Sequence, residues 1–100
     1  MSTDKNGKFV LVANYVGGNV SVLPVQRGGW LGIATDTRQH RGSGANAARQ
    51  EKPHAHCVVL DAAERFAFAA DLGADKIFIY RERATPDSET ALSLGLSRQR

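Results

Sequence analysis

The stretch KFVLVANYVGGNVSVLP, residues 8–24, decides the fold, because RFAFAADLGADKIFIYR, residues 65–81, repeats its pattern. Phe9 aligns with Phe66, Ala13 with Ala70, Val20 with Ile77 and Val22 with Ile79, each pair 57 residues apart. Each copy is a short apolar strand, a glycine-containing turn (Val16-Gly17-Gly18, Gly73-Ala74) and a second strand, which predicts a β-hairpin. The first strand of each pair is apolar at nearly every position, so it should be covered on both faces. The second alternates, with Val20 and Val22 against Asn19 and Ser21, so one of its faces should be wetter.

Working outward, a further strand from His54 to Leu60 leads into the second hairpin through the turn Asp61-Ala62-Ala63-Glu64. After the first hairpin, residues 30–37 offer an outer strand introduced by Arg27-Gly28-Gly29, with Trp30 as a packing residue. The result is a repeated four-stranded meander. Propeller blades have this form, with periods of roughly 40–50 residues. A spacing of 57 fits if one connection is long, and residues 39–53 supply it, polar and glycine-bearing without helical or strand period.

The expected class is all-β, a β-propeller fragment of about two four-stranded antiparallel blades within residues 1–83. Residues 84–100 read as an atypical tail, expected to be poorly ordered, with a mediocre outer strand over 89–96. Blades bury their faces against neighbouring blades, so the missing propeller blades of the same chain are expected partners.

Composition narrows the function classes. Hydrophobic residues make up 42% of the 100 and charged residues 23%, an ordinary globular balance. No run approaches the ~20 apolar residues of a membrane span, and residues 1–6 lack a signal peptide's apolar core. The single Cys57 excludes an internal disulfide and suits a reducing compartment. The expectation is a cytoplasmic protein with no membrane partner. The net charge of +3 is scattered, not gathered into a basic stripe with aromatics, so no nucleic-acid partner is expected.

Polar chemistry is densest in Arg49-Gln50-Glu51-Lys52-Pro53-His54-Ala55-His56. Residues i and i+2 of a strand share a face, so His54 and His56 should face together. Three readings stay open. One is an acid–base or electrostatic site with Arg49 holding an anionic group. Another is a metal site, weak without a third ligand, which His40 or Asp71 would supply only if the fold brings it near. The last is structural, with the histidines bonded to loop carbonyls. Asp71 and Asn14 occupy matching places at strand ends, 57 residues apart, and would reach one rim of the ring. The bland reading of Asp71 is turn chemistry, and that of Cys57 a buried, inert thiol.

The runs Val12-Ala13-Asn14-Tyr15 and Gly18-Asn19-Val20-Ser21-Val22, Arg49-Gln50 with Pro53-His54-Ala55-His56, and Asp71-Leu72-Gly73 with Asp75 resemble the seven-bladed β-propeller lactonases. They stand in the order found in the 6-phosphogluconolactonase type, and the likeness runs from about Gly7 to Tyr80. The resemblance implies hydrolysis of 6-phosphoglucono-1,5-lactone in the pentose phosphate route. It implies His54, His56 and Arg49 as catalytic residues, Asn14, Gln50 and Asp71 beside a small anionic sugar lactone, and neither metal nor cofactor. Muconate-type lactonising enzymes are similar too. A non-enzymatic propeller, used as a binding scaffold, is the competing class.

Overall fold

The computed structural model describes residues 1–44, 48, 50–84 and 92–99. They form two four-stranded antiparallel sheets, each a meander in chain order. The first holds β1 (Ser2–Thr3), β2 (Phe9–Asn14), β3 (Asn19–Pro24) and β4 (Asp36–Gln39). The second holds β5 (Ala55–Leu60), β6 (Phe66–Asp71), β7 (Lys76–Ala84) and β8 (Leu92–Gln99).

The 57-residue repeat is physical. It carries β2 onto β6 residue for residue. It also carries Asp4 onto Asp61, and both do the same work. Asp4 Oδ1 accepts from the N–H groups of Lys8 and Phe9, and Asp61 Oδ1 from those of Arg65 and Phe66. Each carboxylate thereby closes the turn that launches the hairpin's first strand. The left-handed positions repeat as well: Gly7 (φ 67°) corresponds to Glu64 (φ 57°) and Gly18 (φ 67°) to Asp75 (φ 55°).

Alternation decides which faces meet. Phe9, Leu11, Val20 and Val22 from the first sheet join Ala55, Val58, Ala67, Ala69, Phe78, Tyr80 and Leu94 from the second in one buried cluster. Small alanines on β6 leave room for the larger side chains, as close packing requires. The sheets are also tied at both edges. Ser2 Oγ on β1 donates to the Val58 carbonyl on β5 (2.9 Å), and the Leu94 N–H on β8 donates to Asp36 Oδ2 at the start of β4. First strand therefore lies by first strand and fourth by fourth, as in successive blades.

The second sheet's other face carries Cys57, Val59, Phe66, Phe68, Ala70, Ile77 and Ile79, the partners across β5–β7 in the register. None of these is buried here; Val59 and Ile77 are 51% and 46% exposed. The expected cover on both faces of β6 thus exists on one side only, and the second side is an apolar surface suited to another blade.

Two expectations change. The outer strand foreseen over 30–37 begins only at Asp36. Ahead of it, Gly28 and Gly29 (φ 88° and 86°) turn the chain so that Gln26 N–H meets the Trp30 carbonyl and Val25 pairs with Leu31. That tight loop leaves Trp30 75% exposed, not packed under a strand. At the C-terminal end the outer strand runs over Leu92–Gln99, paired along β7, rather than over 89–96. Residues 85–91 lie outside the described residues.

Candidate active site

The histidine segment is pinned between the two hairpin turns. A Cβ on Gly18 would stand 2.6 Å from the Pro53 carbonyl oxygen, and one on Gly73 would run into the Lys52 carbonyl and the His54 ring. Residues 52–54 thus thread between the β2–β3 and β6–β7 turns, at a clearance only glycine provides. Pro53 has no N–H to leave unpaired there. The Leu72 N–H donates to the His54 carbonyl, and Gln50 Nε2 donates to the Leu72 carbonyl.

His54 stands just ahead of β5 and is buried. Its ring stacks on Tyr15, centroids 4.6 Å apart. Nδ1 lies 3.0 Å from the Tyr15 carbonyl and Nε2 3.0 Å from Glu51 Oε1. A carbonyl and a carboxylate only accept, so each ring nitrogen faces an acceptor and both are engaged within the fold. Glu51's carboxyl is held below its ordinary range, first by a backbone hydrogen bond and then by its bond to His54. This geometry gives His54 a bridging role between the sheets.

His56 differs. The β5–β6 register shifts between Ala55 and Cys57, which makes His56 the extra residue of a β-bulge. The bulge breaks the two-residue alternation: Ala55 and Val58, three apart, both enter the core. His54 and His56, expected to face together, are accordingly unlike, one buried and the other exposed. Bulges at sheet edges re-aim side chains, often beside active sites. Here β5 is the edge strand of its sheet and lies next to β1, the edge strand of the first.

Asp71 ends β6 with its side chain fully enclosed. Oδ1 accepts from the N–H groups of His54 and Ala74, each at 2.8 Å, and Oδ2 lies 2.6 Å from His40 Nδ1. It accepts from two backbone N–H groups, faces the His40 ring and presents no oxygen to a rim. Asn14 is exposed at the corresponding end of β2, its Nδ2 donating to Asn19 Oδ1 (2.6 Å). The matched pair thus separates into one exposed and one buried member. Arg49 lies outside the described residues.

His40, considered in the sequence only as a remote metal ligand, is fully buried and stacks on Phe78 with centroids 3.8 Å apart. Its spacing from Asp71, 31 residues, carries no local signal. Among the described residues no three His, Cys, Asp or Glu side chains gather as a metal site. No described helix is long and apolar enough to cross a membrane.

Residues 1–94 match the family model described as lactonase, 7-bladed beta-propeller. The chain belongs to this family. A 6-phosphogluconolactonase of Bacillus subtilis (strain 168) is 41% identical over 81 residues, covering 81% of this chain and 23% of the relative. A crystal structure of a putative 6-phosphogluconolactonase from Bacteroides fragilis superposes with a TM-score of 0.77 at 35% identity, over 93% of this chain and 26% of that one. The structure of a periplasmic gluconolactonase from Pseudomonas aeruginosa gives a TM-score of 0.76 at 33% identity, over 97% and 28%. The chain spans about a quarter of the length of these lactonase-family relatives, and its two sheets are consistent with partial blades of the propeller.

Proposed function

We propose that the protein bearing this chain hydrolyses 6-phosphoglucono-1,5-lactone to 6-phosphogluconate, in the pentose phosphate route of the cytoplasm, once its propeller is complete. The observation that carries the reading is His56, exposed on a bulge at the β5 edge while its neighbour His54 is bonded at both ring nitrogens. An exposed imidazole is open to water and to a substrate, as a general base must be. The likeness to the Bacillus subtilis relative supports the phosphorylated lactone as substrate. The single Cys57 suits a reducing compartment.

The chemistry is short. His56 takes a proton from water as the oxygen attacks the lactone carbonyl carbon. The tetrahedral oxyanion collapses, the ring C–O bond breaks, and the imidazolium returns the proton to the departing ring oxygen. The product is an open-chain hydroxy acid, ionised at neutral pH. Arg49 balances either the phosphate or the oxyanion, and Gln50 and Asn14 stand beside the substrate. A lactone is reactive enough for modest acid–base help to suffice, and the reading assigns no metal or cofactor. The apolar face of Val59, Phe68 and Ile77 takes the next blade of the same protein.

The test is turnover by the intact protein of the 6-phosphorylated lactone and of its unphosphorylated counterpart. Acceleration over spontaneous opening, with preference for the phosphorylated compound, is expected. Preference for the unphosphorylated lactone would move the substrate towards that of the Pseudomonas relative's name. No acceleration of either would leave the binding-scaffold class.

A further inference from the structure

The His40–Asp71 pair is absent from the chemistry just described, yet it is the most enclosed polar contact among the described residues. His40 follows β4 of the first sheet, its N–H donating to the Gly18 carbonyl (2.9 Å). Asp71 ends β6 of the second. The contact between Nδ1 and Oδ2, at 2.6 Å, therefore crosses the interface between sheets. The imidazole plane is fixed from the side by Phe78, 11° from parallel, and Tyr80, 14° from parallel.

Its other nitrogen, Nε2, is buried with no hydrogen-bond partner among the described residues. Asp71 already receives two N–H groups on Oδ1, and its Oδ2, a carboxylate acceptor, faces Nδ1. A proton on Nε2 would leave a buried donor unmet, costlier than an unused lone pair in the same place. The geometry therefore selects one tautomer, with hydrogen on Nδ1 and a bare Nε2.

We propose that His40 and Asp71 are positioning residues for His56. His40 fixes the Asp71 carboxylate, and Asp71 holds the His54 N–H at the start of the strand, two residues before the bulged base. Nothing else described reaches the His54 N–H. Loss of the His40 donor lets the carboxylate turn, and the strand start then drifts relative to the turns at Gly18 and Gly73. Hydrogen-bonded supports of this kind govern the orientation of the groups they hold, by analogy with residues behind metal ligands, whose loss costs about 10–100-fold.

This inference rests on the reading of His56 as general base, so its test has two arms in the intact protein. In the first, His40→Phe keeps a ring against Phe78 but removes the Nδ1 donor. His40→Asn supplies an amide N–H near the same place. The Phe variant should lose about tenfold in kcat with KM within about twofold, and the Asn variant should recover most of that loss. Unchanged kcat in the Phe variant, or equal losses in both variants, would overturn the proposal. In the second arm, nitrogen NMR of the wild-type imidazoles, with His40 assigned by its disappearance in the variants, should show Nδ1 protonated and Nε2 bare. His54 amide exchange should be slow in wild type and faster in His40→Phe. An Nε2-protonated His40, or unchanged His54 exchange, would overturn it whether or not the variants are active. A wild-type protein without lactone turnover would refute the proposed function, and the NMR arm would then decide the support of His54 by itself.

Discussion

Gly18, in the turn between β2 and β3, lies against the backbone of Pro53, which leads the histidine segment of the second sheet. A Cβ at Gly18 would stand 2.6 Å from the Pro53 carbonyl oxygen and 2.9 Å from its carbon. The residue also has φ 67°, a left-handed conformation costing about 1–2 kcal/mol for a residue with a Cβ. Gly18→Ala in the intact protein should therefore destabilise it by about 2–3 kcal/mol, with clash added to strain. Denaturant unfolding measures this. A change under about 0.5 kcal/mol would show that the turn and segment are not in contact.

Core and rim should respond differently to truncation. Leu11 is fully buried between the sheets, and Leu11→Ala should cost about 2–5 kcal/mol. Trp30, 75% exposed on its glycine-turned loop, should tolerate Ala within about 0.5 kcal/mol despite its size. Equal penalties would place Trp30 under a strand after all.

How far these contrasts were legible in the sequence depends on range. The hairpins, their 57-residue offset and the turn glycines could be read because alternation and turn chemistry are local. Trp30 misled because the strand-like composition over 30–37 does not show that Gly28 and Gly29, just ahead of it, both take left-handed conformations and turn the chain away. The bulge at His56 was illegible because it is a register relation with β6, not a property of β5. Asp71 looked like a rim residue by analogy with Asn14. Its burial depends on His40, which arrives from the other sheet.

The aspartate turn at Asp61 predicts sensitivity to acid. The Phe66 N–H, then that of Arg65, hold the Asp61 carboxyl below its ordinary 3.8 against the opposing effect of desolvation. A lowered folded-state pKa stabilises above the unfolded value and is lost as pH falls through the folded value. The wild type should therefore lose stability below about pH 4 more steeply than Asp61→Asn. Parallel acid titrations of stability would contradict this.

Alkali should act through Tyr80, whose hydroxyl is pushed up to about 12, chiefly by burial. A raised pKa contributes stability fully below the unfolded value near 10 and loses it as pH climbs through 12. Tyr80→Phe should flatten the stability profile between about pH 10 and 12. An unchanged slope in that window would show that Tyr80 titrates as an exposed phenol.

The central claim is that an exposed His56 on the bulged β5 edge, with Arg49 nearby in sequence, opens a sugar lactone. The most direct measurement is the rate of 6-phosphoglucono-1,5-lactone hydrolysis by the intact protein and by His56→Ala, Arg49→Ala and His54→Ala, with far-ultraviolet dichroism as a check on folding. His56→Ala should lower kcat by about 10²–10⁴-fold, as removal of a general base does, in a folded protein. Arg49→Ala should lower kcat/KM, and His54→Ala should lower stability as well as rate. Folded His56→Ala and Arg49→Ala variants that hydrolyse the lactone at the wild-type rate would contradict the account.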